Sequence, residues 1–242
     1  MLFTVVTIFP EVFPGALAYG LSGKNLGKLW DVNTINIRDF AKDKHLSVDD
    51  TPYGGGAGMV MRADILHEAL LHALSLYNKK PYVFFMSPRG VPLSQKVVKT
   101  IMENPHTPEG AIILCGRYEG IDERLIRYWR EKYGMLEIST GDYILFGGEI
   151  PALVFMDACI RLLPGVMNNK ESIENESFSV DLLEYPHYTK PIVWMEESVP
   201  SVLLSGDHKK ISEWREEEAK RITQSSRSDL WNRYCYVNRE KV

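Results

Sequence analysis

The chain has 242 residues, 45% of them apolar and 25% charged, with a net charge of −4. That is enough chain for one large domain or two smaller ones, each with its own core. The charge excludes a protein whose whole surface grips nucleic acid, no apolar run approaches the ~18 residues of a membrane span, and three widely spaced cysteines exclude a disulfide framework.

The start, Met-Leu-Phe-Thr-Val-Val-Thr-Ile-Phe-Pro, carries no basic n-region or cleavage site. It reads as a buried first strand, Leu2–Phe9, and points to a cytoplasmic protein. Further strands are predicted at Thr34–Ile37, Tyr82–Met86, Ala111–Leu114 and Met135–Ile138. Helices are predicted at Glu11–Tyr19, Ala63–Tyr77, Ser94–Met102, Asp122–Lys132 and Ala152–Leu163. In the second of these Leu66, Leu70, Ala73, Leu74 and Tyr77 share one face. Such alternation is the pattern of an α/β domain with a mostly parallel sheet.

The pattern stops at Leu163-Pro164-Gly165, before a polar stretch from Asn168 to Ser179 that reads as a linker. Residues 166–206 carry two basic and seven acidic side chains, whereas 207–242 carry nine basic and seven acidic. Proline-punctuated segments surround Pro186, Pro191 and Pro200, and a polar helix follows over Asp207–Thr223. A small, mostly helical second domain fits this tail.

Four loops carry chemistry. Thr51-Pro-Tyr-Gly-Gly-Gly-Ala-Gly-Met59 lacks the Gly-Lys-Ser/Thr of a Walker A loop and does not match G-x-G-x-x-G. Four glycines in five positions are entropically expensive, which favours a loop that meets a phosphate or base over a plain turn. Ser87-Pro88-Arg89-Gly90 follows a strand and reads either as a β-turn or as part of a crevice. Cys115-Gly-Arg-Tyr-Glu-Gly-Ile-Asp-Glu-Arg124 and Thr140-Gly-Asp-Tyr-Ile-Leu-Phe-Gly-Gly-Glu-Ile-Pro151 also follow strands, where α/β proteins bind ligands. Asp122 and Glu123 suit the first turn of a helix, leaving Glu119 as the better ligand candidate. Arg161 either satisfies the terminal carbonyls of its helix or faces a substrate. His187 has no serine or cysteine partner motif, so hydrolase chemistry is unsupported. Trp214-Arg215 is most simply a packing anchor.

Taken together these segments resemble the bacterial tRNA (guanine-N1)-methyltransferases. The matching pieces are Ile8-Phe9-Pro10, residues 48–59, Ser87–Gly90, Cys115–Arg124, Gly141–Glu149, Arg161–Val166, Leu183–Pro191, Val202–Gly206 and Ile211–Arg215. They run in the family's order across nearly the whole chain. The resemblance implies a SPOUT-type α/β fold. Its parallel sheet carries a C-terminal deep trefoil knot and is followed by a small helical domain. The expected boundaries are 1–167 for the cofactor-binding domain, 168–179 for a flexible linker and 180–242 for a tRNA-binding domain.

It further implies S-adenosyl-L-methionine as cofactor and tRNA as substrate. The product would be 1-methylguanosine at the position immediately 3′ of the anticodon (position 37 of tRNA). A homodimer with shared active sites is expected, without membrane attachment. By matching motifs, the cofactor would be lined by Ser87, Pro88, Gly116, Tyr118, Glu119, Gly120, Thr140, Gly141, Tyr143, Leu145, Gly147, Gly148 and Pro151. The family's base lies fifteen residues after the arginine of Arg-x-x-Pro-Gly, which leads from Arg161 to Glu176. Glu176 would take the N-1 proton and Arg161 would stabilise O-6. Tyr53, Gly54, Gly55, Gly56, Ser177, His187 and Lys190 would meet tRNA. Glu176 replaces the family's usual aspartate, Lys190 its usual arginine, and Phe146 a usual small residue that would narrow the pocket floor. Mg²⁺ has no ligand spacing in its favour, although Glu119 and Glu149 are plausible carboxylate neighbours. A knotted RNA-binding protein without turnover would have lost its pocket glycines, yet Gly116, Gly120, Gly141, Gly147 and Gly148 are all present. A ribosomal RNA or ribose methyltransferase is disfavoured by the Pro-Tyr-Gly-Gly-Gly and Pro-His-Tyr-Thr-Lys-Pro segments.

Overall fold

The structure is a computed structural model that describes residues 1–103, 110–167, 176–178 and 180–239. The chain divides into two compact units, Met1–Asn168 and Asn169–Val242. Of the expected linker 168–179, all but 176–178 lies outside the described residues.

The first unit is built on five parallel strands: β1 (Leu2–Thr7), β2 (Asp31–Asn36), β5 (Tyr82–Pro92), β6 (Gly110–Cys115) and β7 (Leu136–Ser139). Their order across the sheet is β2-β1-β6-β5-β7. Two short antiparallel strands, β3 (Asp49–Asp50) and β4 (Val60–Met61), flank the glycine-rich loop between them. The helices are α1 (Gly20–Asn25), α2 (Ala63–Ser75), α3 (Gln95–Met102), α4 (Glu123–Tyr133) and α5 (Glu149–Arg161).

Side chains alternate across the central strands, as a pleated backbone requires. Val6, Val83, Phe85, Ile112 and Leu114 pack with Leu66 and Leu70 of α2 and with Leu125 and Trp129 of α4. Val5, Phe84, Met86, Ile113 and Cys115 pack on the other face with Ile101 of α3 and with Phe155, Met156 and Cys159 of α5. Both faces are therefore covered, which is why the strands read as continuous apolar runs. Of the predicted α2 stripe, Leu66, Leu70 and Ala73 are fully buried. Tyr77 lies just past the helix, where its hydroxyl meets Thr4 Oγ1 at 2.8 Å.

Three elements differ from the sequence expectation. Glu11–Tyr19 is not an α-helix: it forms two 3-10 turns, Pro10–Val12 and Gly15–Ala18, and helix begins only at Gly20. Pro14 accounts for this, since it lacks an N–H and disfavours the α region for Phe13 before it. Strand β5 runs on to Pro92, six residues past the predicted end. Met86 and Val91 both pair with Ile138, so Ser87–Gly90 bulge out of the strand rather than end it. Helix α5 starts at Glu149, inside the predicted loop.

In the second unit a hairpin of β8 (Val193–Trp194) and β9 (Glu197–Ser198) precedes α6 (His208–Ser226) and α7 (Ser228–Arg239). Asp207 caps α6 by accepting from the amides of Lys209 and Lys210. The Trp214 ring stands 6.2 Å from that of Tyr188, and the Arg215 guanidinium lies 4.8 Å over Tyr185. These contacts tie the Pro-His-Tyr segment to α6, the anchoring role expected of this pair.

Cys115 and Cys159 are buried and Cys235 is half-buried, all three as free thiols. Burial, and then the Glu149 carboxylate, push the Cys115 thiol well up, and burial lifts Cys159 to about 12. Both core thiols stay protonated at pH 8, and only thiolate reacts. Titration of the native protein with a thiol-specific disulfide reagent at that pH should therefore read one rapid equivalent per chain, and three after denaturation. Rapid reaction of two or more native thiols would contradict the packing described.

Candidate active site

The loops that follow β5, β6 and β7 converge on one cavity of about 320 Å³. Its size falls at the lower end of small-molecule sites, roughly 300–1,000 Å³. All thirteen residues expected at the cofactor line it: Ser87, Pro88, Gly116, Tyr118, Glu119, Gly120, Thr140, Gly141, Tyr143, Leu145, Gly147, Gly148 and Pro151. Phe85, Met86, Ile138 and Ile144 add apolar wall, and Arg117, Ser139 and Phe146 complete the lining. Of these seven only Phe146 was anticipated at the pocket.

Backbone geometry explains the glycines. A Cβ on Gly148 would stand 2.8 Å from Cys115 Cα, and its amide donates to Gly116 O at 2.9 Å. Gly147 leaves the space that the Arg117 side chain fills, since a Cβ there would be 2.2 Å from Nε. Gly120 has φ +127° with nothing within 4 Å of its Cβ direction, a conformation nearly reserved for glycine. Glycine at these positions lets the loops pack closely around the cavity. A mixed apolar and backbone-polar lining suits an adenosine-type ligand, and the residues present fit S-adenosylmethionine.

Tyr118 also has positive φ, +58°. Burial first, and then the charge and hydrogen bond of Asp49, raise its phenol above the usual tyrosine range. Asp49 lies in β3, so this contact reaches from the cavity to the root of the glycine-rich loop. That root is stitched to the cavity loop by backbone: Glu119 N donates to Met59 O and Met61 N to Gly120 O, each at 2.9 Å. Gly58 has φ +81°, and a Cβ there would also be 2.4 Å from the Glu119 side chain, which together favour glycine. Gly54, Gly55 and Gly56 all have positive φ, and Tyr53 is 99% exposed at the loop tip.

Asp122 caps α4 by accepting from the Arg124 amide, and Glu123 opens the first turn and pairs with Arg89 at 2.8 Å. The capping reading of both residues therefore stands. Phe146 is 96% exposed, so it does not fill the pocket floor as its departure from the family pattern had suggested. Beneath the cavity, outside its lining, Glu149 is 1% exposed and accepts from Thr7 Oγ1 at 2.7 Å and from Arg117 Nε at 2.9 Å. With both oxygens engaged, Glu149 is poorly placed to ligate Mg²⁺. No group of three metal-ligating side chains occurs among the described residues.

Arg161 is the last residue of α5 and is half-buried. Glu176 and Ser177 belong to the second unit, both half-buried, and Ser177 Oγ accepts from the Glu184 amide at 3.0 Å. His187 Nε2 lies 2.9 Å from Glu184 Oε1, and Lys190 is exposed.

No helix among the described residues is long and apolar enough to cross a membrane. The family model described as tRNA (Guanine-1)-methyltransferase TrmD matches residues 1–233. Proteins named tRNA (guanine-N(1)-)-methyltransferase from Brucella ovis and Brucella melitensis biotype 1 are each 51% identical over 240 residues, covering 99% of this chain and 94% of theirs. A relative of the same name from Brucella suis is also 51% identical, covering 99% of this chain and 93% of its own length. A pocket built from the expected loops and similarity along almost the entire length lead to one statement: the chain belongs to the tRNA (guanine-1)-methyltransferase family.

Proposed function

We propose that this chain methylates N-1 of the guanosine immediately 3′ of the anticodon (position 37) in tRNA, using S-adenosyl-L-methionine and yielding 1-methylguanosine. The observation that carries this reading is the convergence of all thirteen expected cofactor residues on one glycine-built cavity. Bound there, the cofactor supplies a methyl group already activated on a sulfonium. Guanine N-1 is protonated at neutral pH and is a poor nucleophile, so a base must take its proton near the transition state. Glu176 is assigned that role. Arg161 donates to O-6 as negative charge shifts there, an electrostatic contribution of the oxyanion-hole type. Ser177 holds the segment beside Glu176 through its hydrogen bond to the Glu184 amide.

Tyr53 and Gly54–Gly56 meet the target nucleotide, with His187 and Lys190 contacting tRNA from the second unit. The first unit is the cofactor-binding domain, and its β7–α5 segment closes a deep trefoil knot of SPOUT type. The close fit of Gly90 and Gly148 against neighbouring backbone supports a tight crossing there. The enzyme works as a homodimer with shared active sites, in the cytoplasm, where tRNA is matured.

The direct test is transfer from labelled S-adenosylmethionine to unmodified tRNA carrying guanosine after the anticodon, with nucleosides identified. 1-Methylguanosine at that position supports the reading. Methylation of ribosomal RNA or of a ribose instead, or none at all, refutes it.

A further inference from the structure

The Ile8-Phe9-Pro10 segment has no part in the reaction just described, and neither Thr7 nor Glu149 lines the cavity. Yet they meet beneath it. Thr7 Oγ1 accepts from Phe9 N at 3.0 Å and donates to Glu149 Oε1 at 2.7 Å, so its single proton has a fixed direction. Glu149 Oε2 accepts from Arg117 Nε at 2.9 Å. The Arg117 guanidinium lies 4.6 Å over the Phe9 ring, within cation–π range. Its Nη1 reaches Phe146 O at 3.4 Å, and Gly147 leaves it room to pass. One chain of polar contacts thus joins the end of β1, the 115–120 loop and the 140–148 loop.

A carboxylate this buried must keep both partners, because an unpaired charge in the interior is costly. That makes the chain of contacts effectively all-or-none. Resting on the cofactor assignment above, we propose that Thr7, Arg117 and Glu149 are positioning residues. They form a latch that holds the two cofactor loops at binding distance of each other. The Thr7 hydroxyl at the end of β1 and the Ile-Phe-Pro turn after it then have a purpose: they anchor the latch to the rigid sheet. Pockets gain affinity when such supporting contacts are made in advance of binding.

The test is calorimetric binding of S-adenosylhomocysteine to intact wild type, Thr7→Val, Thr7→Ser and Arg117→Lys, with steady-state methylation alongside. Thr7→Val keeps shape and removes only the hydroxyl. It should raise Kd about ten-fold, the worth of one hydrogen bond to a charged group. The KM for S-adenosylmethionine should rise in parallel, with kcat and the KM for tRNA within about two-fold, as loss of uniform binding requires. Thr7→Ser should restore wild-type affinity. A purely structural role would lower the binding stoichiometry and leave Kd unchanged. Arg117→Lys keeps the charge and loses the fork, and it should raise Kd likewise should Thr7→Val not fold. Folded variants with wild-type Kd overturn the latch alone. A wild type that binds S-adenosylhomocysteine but methylates no guanine N-1 overturns the functional reading, while the variant Kd values still decide the latch. A wild type that binds none overturns both.

Discussion

Glu176→Gln should lose about 10²–10⁴-fold in methyl transfer, the usual worth of a positioned general base, while S-adenosylhomocysteine binding stays within about two-fold. Glutamine matches glutamate in size and polarity but cannot accept a proton. The cofactor cavity lies wholly in the first unit and Glu176 in the second, so the substitution leaves the cavity's lining untouched. The decisive measurement is single-turnover formation of 1-methylguanosine with saturating tRNA and cofactor. A rate within about ten-fold of wild type would place the base elsewhere. Glu176→Asp is the informative companion. It restores the family's usual residue but shortens the side chain by a methylene, and displacement of about an ångström costs up to ~10²-fold. A segment fitted to glutamate should therefore run slower with aspartate, yet faster than with glutamine.

Gly90→Ala should unfold or severely destabilise the first unit. Gly90 sits where β5 rejoins β7 after the Ser87–Gly90 bulge. A Cβ there would stand 2.4 Å from both Glu137 C and Ile138 N, and 2.6 Å from Glu137 O. All three are backbone atoms of the neighbouring strand and cannot swing aside as a side-chain tip would. Overpacking of this kind costs about 3 kcal/mol or more, which corresponds to roughly 6–12 °C in Tm for a unit of this size. Gly54→Ala is the control: no atom lies within 4 Å of its Cβ direction, so its only penalty is its φ of +90°. A Gly90→Ala melting temperature within about 2 °C of wild type would show that the strands can part without cost.

Much of this architecture was legible because burial on both faces writes long apolar runs into parallel strands. Leu2–Thr7 and Gly110–Cys115 announced themselves in that way. Capping was legible too, since Asp122 and Asp207 are good caps at any helix start. What escaped has physical reasons. The Glu11–Tyr19 stretch has helical spacing, but Pro14 breaks it locally, and a period count does not weigh a single proline. Helix α7 carries an even mixture of polar and aromatic residues in Ser-Asp-Leu-Trp-Asn-Arg-Tyr, too little contrast to mark a face. Glu149 read as a plausible carboxylate neighbour of Mg²⁺ because sequence does not reveal that a hydroxyl 142 positions away and Arg117 engage it. The available hint was on the other partner: Thr4 and Thr7 are hydroxyls in a strand otherwise apolar and are fully buried, and each must find an acceptor. The shared strand-end position of loops 87–90, 115–124 and 140–151 pointed to one crevice, whereas the cofactor and its individual lining residues came only from the family resemblance.

The strand order sets a timetable for synthesis. β1 finds β2 on one side as soon as residue 36 is made, but its other edge waits for β6, with Leu2 opposite Gly110 and Val6 opposite Leu114. At typical ribosomal speeds of roughly 5–20 residues per second, that wait lasts on the order of 5–15 s. Throughout it an apolar strand edge made of Phe3, Val5 and Val6 stays unpaired, the kind of surface that recruits other nascent chains. The vulnerable moment for this protein is therefore during translation, and its yield should depend on chaperone supply far more than the folded molecule's stability would suggest.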